Sequence, residues 1–439
     1  MGHGEGDEGG GFGAEDAAAE APSLGDCGEA GAFGVGEVAL GDGGRGTWRW
    51  EGWGRHGLRS RDLIFQGSRL HLGWRGRGPA RCFPSPAIPM KILIYTPYFY
   101  PSFGGIETVV SILAHQFVKR GHEVKLVSET PSDQPLNFPF EVHCRPDRRT
   151  MVGLVRWCDF YFLNSLHPRG VWPLLLIRRP SAVTHHSWRR TGLANRVKQL
   201  QTRLLFNVSI SRYMASQIPT KSYLIPNPYR SDLFRNDPAI QPTKELVYLG
   251  RLSEEKGADL LIEALAILKK RGLTPKLTMI GAGPEQQALG DLTCELSLSE
   301  QVEFVGKKMD EELVRLLNQH EIMVVPTRVR EAFGVVALEG IACGCVVVGS
   351  ESGGLKEAMG PCGVTFPNED VAKLADTLQG LLTDRSQIEA LRRQAPAHLH
   401  NYDQSTIAEA YLATFQKLIG RESFRESDFI DAGMAVSTS

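Results

Sequence analysis

No run of 18 apolar residues occurs in the chain, so nothing in it has the pattern of a membrane-spanning helix. The first 30 residues are acidic and glycine-rich, not basic and then apolar as in a secretory signal. Net charge is also scarce: 49 basic against 50 acidic side chains leave −1, too little for a global field toward nucleic acid or a bulk membrane surface. The eight cysteines show neither zinc-ligand spacing nor the density of a disulfide framework, which points to a reduced, cytoplasmic setting and excludes a stapled fold. Asp-x-Asp is absent as well, so the commonest short motif for holding a divalent cation on a nucleotide sugar is missing.

Residues 1–89 contain no lysine, yet hold 23 of the 47 glycines and four of the seven tryptophans. No helical or alternating apolar period runs through them, and so little apolar surface cannot offset a chain entropy of about 1–2 kcal/mol per residue. They are expected to be disordered. A buried-strand pattern begins at Lys91, directly after Met90. The expectation is therefore a native start at Met90, with the preceding segment a misassigned upstream translation.

From Met90 onward, Ile92–Tyr95 reads as a buried strand and Thr96–Gly105 as a loop, while Ile106, Val110, Leu113 and Phe117 share one helical face. Glu123–Val127 returns as a strand, completing a βαβ unit and calling for a parallel sheet. A second series begins at Glu245–Leu249 and a helix near 257–271. It continues through strands at Lys276–Ile280, Val302–Val305, Ile322–Val325 and Cys345–Gly349. Two doubly wound α/β domains follow, with turn-rich segments Ile225–Tyr229 and Asp237–Thr243 between them. The divisions expected are 1–89, an amino domain over 90–235, a carboxyl domain over 236–400, a helix at 401–420 and a tail at 421–439. Ligands of open parallel sheets bind beyond the carboxyl ends of the strands, so the cleft between the sheets is the default site.

Several constellations fall at such ends. Gly250-Arg251 and Lys256-Gly257 place two cations five residues apart before a helix, where they could clamp one polyphosphate; a solvated loop is the alternative. Glu331 sits in a loop and Glu339 in a helix, about 12 Å apart if all eight intervening steps were helical. That exceeds the ~5–5.5 Å of a retaining hydrolase dyad and suits gripping hydroxyls at two ends of an extended ligand. Gly104-Gly105 precedes a helix and could admit an anion to its backbone N–H groups, or simply form a turn. Gly281 to Pro284 is open between an anion site and helix capping by Pro284. Thr184-His185-His186 follows an apolar strand, so a histidine there could donate a hydrogen bond to a substrate oxygen or be a satisfied structural group.

In order and spacing, Gly104 to Glu107, Thr184 to His186, Ile225 to Asn227, Gly250-Arg251 with Lys256-Gly257, Gly281 to Pro284, Glu331 with Glu339, and Ser352 to Gly354 resemble the retaining glycosyltransferases of family 4. The resemblance runs from about Met90 to Gly420. It implies a GT-B fold, two Rossmann-like domains facing across a cleft, with a closing helix near Gln404–Ile419 crossing back to the amino domain. It also implies a nucleotide-sugar donor and a glycan, lipid-linked or other hydroxyl acceptor, with no nucleic-acid partner, no cofactor and no divalent metal.

Carried onto this chain, the family pattern makes Arg251 and Lys256 the diphosphate clamp and Gly105, beside Gly104, the backbone donor to the leaving phosphate. Glu331 would hold donor-sugar hydroxyls, flanked by backbone of Phe333, Gly334 and Val335. Glu339 would hold the ribose, Val305 and Gly306 would line the base pocket, and His186 would stand near the sugar. A nucleotide-sugar epimerase of the same fold and a non-catalytic nucleotide-sugar-binding subunit stay open. Trp188–Leu205 is a basic amphipathic stretch with Leu193, Val197, Leu200 and Leu204 on one face. It reads either as a core-packed helix with a solvated basic side or as a peripheral contact with anionic lipid on the inner membrane face.

Overall fold

The computed structural model describes residues 34–40, 44–50, 89–101, 104–132, 136–188 and 193–431. Strands β1 (Gly34–Leu40) and β2 (Gly44–Trp50) form an antiparallel hairpin. This departs from the disorder expected of the first segment: Val35, Val38, Thr47, Trp48 and Trp50 have high strand propensity, and pairing satisfies their backbone. The remainder of that expectation lies outside the described residues.

The compact unit after it contains two sheets. In the first, strands β3 (Lys91–Thr96), β4 (Glu123–Ser128), β5 (Glu141–Cys144), β6 (Phe160–Leu163), β7 (Ser181–His185), β8 (Phe206–Ser209) and β9 (Ser222–Leu224) are all parallel, in spatial order β9-β8-β7-β6-β3-β4-β5. The second contains β10 (Lys244–Leu249), β11 (Leu277–Ile280), β12 (Val302–Gly306), β13 (His320–Val325), β14 (Val346–Ser350) and β15 (Gly363–Phe366), parallel in the order β12-β11-β10-β13-β14-β15. Counted along the chain, that order is the doubly wound 3-2-1-4-5-6 of Rossmann sheets. The first sheet follows it too, with one further strand. Each therefore reverses direction at one point, between β3 and β6 and between β10 and β13, where the carboxyl ends open a crevice.

Periodicity explains the helices that cover these sheets. In α1 (Gly105–Lys119), Val109, Val110, Leu113 and Phe117 are buried against one face of the first sheet. Helix α2 (Arg148–Trp157), capped by the Asp147 carboxylate accepting from the Thr150 N–H, covers the other face with Met151, Leu154 and Val155. Helix α3 spans Leu193–Thr202, α4 Ala258–Lys270, α5 Gln286–Glu295, α6 Val335–Ala342 and α7 Gln404–Gly420. α7 packs on the amino domain. Its Phe415 ring stacks on Phe160 at 4.0 Å and meets Phe117 edge-on at 5.7 Å, while the Tyr411 hydroxyl lies 3.1 Å from that of Thr184.

Two expectations are corrected. The segment after Gly420 is not a bare tail: β16 (Phe429–Ile430) adds an antiparallel edge to β9, pairing Phe429 with Tyr223. Phe206, Tyr223, Phe424 and Phe429 form the aromatic cluster that holds it, and Lys221 pairs with Glu426 and Asp431. The core-packed reading of the basic helix also fails for the residues described, because Val197, Leu200 and Leu204 are 47%, 60% and 66% exposed. Of that stretch, Trp188 and Leu205, at its two ends, pack against the amino-domain core.

Phe415→Ala should cost about 3–5 kcal/mol, the usual penalty for emptying a buried aromatic site. Urea unfolding would show a lower midpoint at unchanged slope.

Candidate functional site

A cleft of about 660 Å³ lies where the two reversal points face each other, lined from one side by Gly104, Gly105, His186 and Asn227 and from the other by Gly250, Arg251, Lys256, Glu331 and Glu339. The sequence-derived candidates converge here, with Phe333, Gly334 and Val335 also in the wall. Val305 and Gly306 do not line it. They end β12, the edge strand two places from β10, and Val305 packs against the core of the carboxyl domain.

On the amino side, Gly104 caps α1, whose first N–H groups lack helical acceptors. A Cβ added at Gly105 would meet nothing within 4 Å, so packing does not demand glycine there; a small residue leaves those N–H groups open to an anion.

His186 and His185 point to opposite surroundings, as successive residues leaving a strand do. His185 Nε2 is 2.9 Å from Asn207 Oδ1, and its ring meets Trp188 edge-on. His186 Nε2 is 3.2 Å from Asn164 Oδ1. Burial depresses both imidazoles, to about 4 for His185 and about 3 for His186, the latter also facing His185. Both are neutral at physiological pH. Because Asn164 Oδ1 can only accept, His186 carries its proton on Nε2 and leaves Nδ1 as a lone-pair acceptor. This corrects the expectation of a histidine donating to substrate oxygen: the available proton is already given to Asn164.

On the carboxyl side, the Arg251 loop is fixed by backbone contact. Tyr248 Oη donates to Arg251 O at 2.9 Å, and the Leu252 and Glu285 N–H groups bond to Ala282 O and Leu252 O. Gly281 and Gly283 permit this: a Cβ at either would fall 1.8 Å from Gly250 O or 2.0 Å from Leu252 O. That glycine pair seats the Arg251 loop. Pro284 does not start a helix, since Glu285 is the cap of α5. Arg251 is exposed to the cleft, and no carboxylate pairs with it among the described residues. Lys256 instead donates to Glu331 in a half-buried ion pair.

The loop that carries Glu331 is secured at several points. Arg328 makes a bidentate pair with Asp259 at 2.7 and 2.5 Å, Ser352 Oγ donates to Val329 O, and the Gly354 N–H donates to Glu331 O at 2.7 Å. Gly353, at φ +60°, could bear no Cβ, which would lie 2.1 Å from Glu331 O. Ser211 of the amino domain reaches across to donate to Ala332 O at 2.6 Å. These anchors give a role to Ser352 to Gly354, which the sequence marked without explaining. Ser211, Asn164 and the Arg328–Asp259 pair carry no sequence signal, because their partners are 121, 22 and 69 residues away. Asn227 is buried in the cleft wall with Oδ1 lacking any partner, leaving an acceptor free for a ligand.

Glu339 projects from α6 into the cleft. Loss of hydration raises its carboxyl to about 7, only partly countered by the Arg230 charge. Two half-helical ends, of α1 and α6, thus face one space with Arg251 and Lys256 between them and two carboxylates at its margins. Such an arrangement can hold a diphosphate flanked by hydroxyl-bearing groups.

The two facing Rossmann-like domains make this a GT-B fold. Residues 230–398 match the family model of the glycosyl transferases group 1. D-inositol 3-phosphate glycosyltransferase of Corynebacterium jeikeium is 33% identical over 185 residues, which cover 40% of this chain and 44% of that one. The match thus spans less than half the length of that relative. Phosphatidyl-myo-inositol mannosyltransferase of Mycobacterium leprae is 23% identical over 369 residues, covering 74% and 96%. Among solved structures, Anabaena HepE in complex with UDP superposes with a TM-score of 0.64 at 19% identity, covering 75% of this chain and 100% of its own. Sucrose-phosphate synthase of Thermosynechococcus elongatus gives 0.61 at 18%, covering 76% and 100%.

A carboxyl raised above its unfolded value stabilises the fold fully below pH about 4.5, and that contribution is lost as pH rises through about 7. Glu339→Gln removes the titration. Its melting temperature should exceed that of the wild type at pH 8, and the gap should close by pH 4.5.

Proposed function

We propose that this protein is a retaining, metal-independent glycosyltransferase of family 4. It moves a sugar from a UDP- or GDP-linked donor to a hydroxyl of a glycan, lipid-linked or other acceptor. One observation carries this reading: the unpaired Arg251, the Lys256–Glu331 pair and the amino ends of α1 and α6 share one cleft between two Rossmann-like sheets. The UDP and UDP-glucose complexes of HepE support a nucleotide-sugar ligand for such a cleft.

In the reaction, the bond between the anomeric carbon and the diphosphate oxygen breaks, and the acceptor oxygen bonds to the same face of that carbon. The acceptor proton passes to the departing phosphate, and the nucleoside diphosphate leaves. Arg251, Lys256 and the N–H groups at Gly105 stabilise the charge that develops on that phosphate, which is where preorganised donors act most strongly. On donor binding Lys256 exchanges Glu331 for phosphate, and Glu331 is released to accept from sugar hydroxyls. Glu339 accepts from the ribose. His186, neutral with its proton held by Asn164, accepts at Nδ1 and does not serve as a general acid. The positive charge is supplied by side chains and helix ends, so no divalent ion is required.

The second contact proposed is with anionic lipid. The apolar side of α3, with Val197 and Leu200 uncovered and Leu204 exposed just beyond the helix, lies among Arg196, Lys198 and Arg203.

Arg251→Ala and Lys256→Ala should each cut turnover of UDP-glucose or GDP-mannose by ~10²–10³, with melting temperature kept. EDTA should leave the wild-type rate intact. Nucleoside diphosphate release and the anomeric configuration of the product, followed by NMR, check both. Near-normal rates in the two variants, abolition by EDTA, or an altered sugar nucleotide formed without acceptor would each refute the assignment. Vesicles containing phosphatidylglycerol should retain the protein at low salt and lose it on Leu200→Glu; failure of retention would remove the lipid contact.

A further inference from the structure

A second cavity, also of about 660 Å³, opens in the amino domain at the carboxyl ends of β3, β4 and β5. Its walls include Tyr95, Glu129, Arg145, Arg148, Arg169 and Trp172. Three guanidinium groups therefore face one carboxylate. Both oxygens of that carboxylate are engaged: Glu129 Oε1 accepts from the Tyr95 hydroxyl at 3.0 Å and Oε2 from Arg169 at 2.8 Å. Burial and the Glu129 charge push the Tyr95 phenol far above its ordinary range, so it stays a donor to Glu129. Glu129 accordingly neutralises Arg169 alone.

The other two arginines keep their charge. Arg145 is held at φ +47°, its N–H donating to Ser128 O and its Nε to Glu129 O at 2.7 Å. This anchors the side chain through one nitrogen. Arg148 is exposed at the start of α2, and the nearby Asp147 carboxylate is occupied in capping that helix. Among the described residues, no carboxylate pairs with Arg145 or Arg148. The cavity thus has an uncompensated double positive charge beside an indole face. At its rim Leu176 is 72% exposed.

Its place in the sheet bears on its ligand. β4, whose end carries Glu129 and through its carbonyl the Arg145 side chain, lies three strands from β7, which His186 follows in the donor cleft, and strands are about 4.8 Å apart. The cavity is joined to that cleft by Asn164, whose N–H donates to Tyr95 O at 2.8 Å and whose side chain accepts from His186. A ligand held here reaches the cleft across about 14 Å, the span of two or three sugar rings. We infer that this cavity is the acceptor anion site: Arg145 and Arg148 hold a phosphate group of the acceptor, Trp172 stacks on its sugar, and the hydroxyl to be glycosylated extends toward His186. This inference rests on the glycosyltransferase reading of the cleft. A soluble sugar phosphate and a lipid-borne phosphate share that chemistry.

Calorimetric titration of the full chain distinguishes them. UDP is added first; failure to bind it counts against the cleft reading alone, and the phosphate titrations then proceed in an Arg251→Ala background that keeps phosphate out of the diphosphate clamp. With UDP saturating, glucose 6-phosphate and monomeric dihexanoyl-phosphatidylglycerol are the probes, and glucose is the uncharged control. Binding of either phosphate probe, weakened tenfold or more by Arg145→Ala/Arg148→Ala at unchanged melting temperature and UDP affinity, supports the site. Partial recovery with Arg148→Lys supports it further. Tighter binding of the lipid, lost in Leu176→Ala, assigns a lipid-borne acceptor, and tighter binding of glucose 6-phosphate a soluble one. Absence of binding by both probes, or binding that survives the double substitution, overturns the inference.

Discussion

The ion pair between Lys256 and Glu331 is the constraint around which the cleft is organised. A half-buried cation and carboxylate, each costly to strip of water alone, stay charged in a site meant for other ligands because each supplies the other's counter-ion. Proposed donor binding exchanges this contact for two, phosphate on the lysine and hydroxyls on the carboxylate, so the charges meet new partners without being left bare. The exchange demands that both side chains be aimed from rigid backbone. The Gly281 and Gly283 seat, the Arg328–Asp259 pair and Ser352 to Gly354 provide that rigidity.

Charge is distributed differently in the two domains. The carboxyl domain brings Arg251 and Lys256 to the cleft beside carboxylates, whereas the amino domain brings one neutral imidazole, His186, and helix-end N–H groups. Burial keeps His185 and His186 uncharged, and so the amino face does not compete with the clamp for anions. Positive charge in the amino domain is concentrated instead three or more strands away, around Arg145 and Arg148. Two positively charged regions separated by a neutral strip is the arrangement that the proposed charged donor and charged acceptor would need to approach without exchanging places.

How much was legible beforehand varied with range in sequence. The carboxyl domain was read nearly whole because its strands are continuous apolar runs buried on both faces, such as Ile322–Val325 and Val346–Gly349. Much of the amino sheet went unread: β5, β8 and β9 are three or four residues long, and each has a single aliphatic residue, Val142, Val208 and Leu224. The strand at Phe429–Ile430 was invisible for the same reason, since two residues carry no period. Arg251, Lys256, Glu331 and Glu339 could be named because glycines and strand ends mark their positions. The tautomer of His186, the occupied state of Lys256 and the true use of Gly281 could not, since each is fixed by a partner contributed from another element.

The sequence by itself determined which segments become strands and helices in the second domain, that the sheets are parallel, and which side chains stand at strand ends facing a cleft. Those properties follow from local periodicity and turn chemistry, which a single segment carries within itself. The tertiary structure decided what each of those side chains meets there: Glu331 on Lys256, Asn164 on His186, Ser211 on Ala332, and Arg169 brought from beyond β6 into one cavity with Arg145 and Arg148 of the β5–α2 connection. Charge state, proton position and pocket shape depend on burial and on neighbours distant along the chain, and these exist only once the sheets have formed and faced each other.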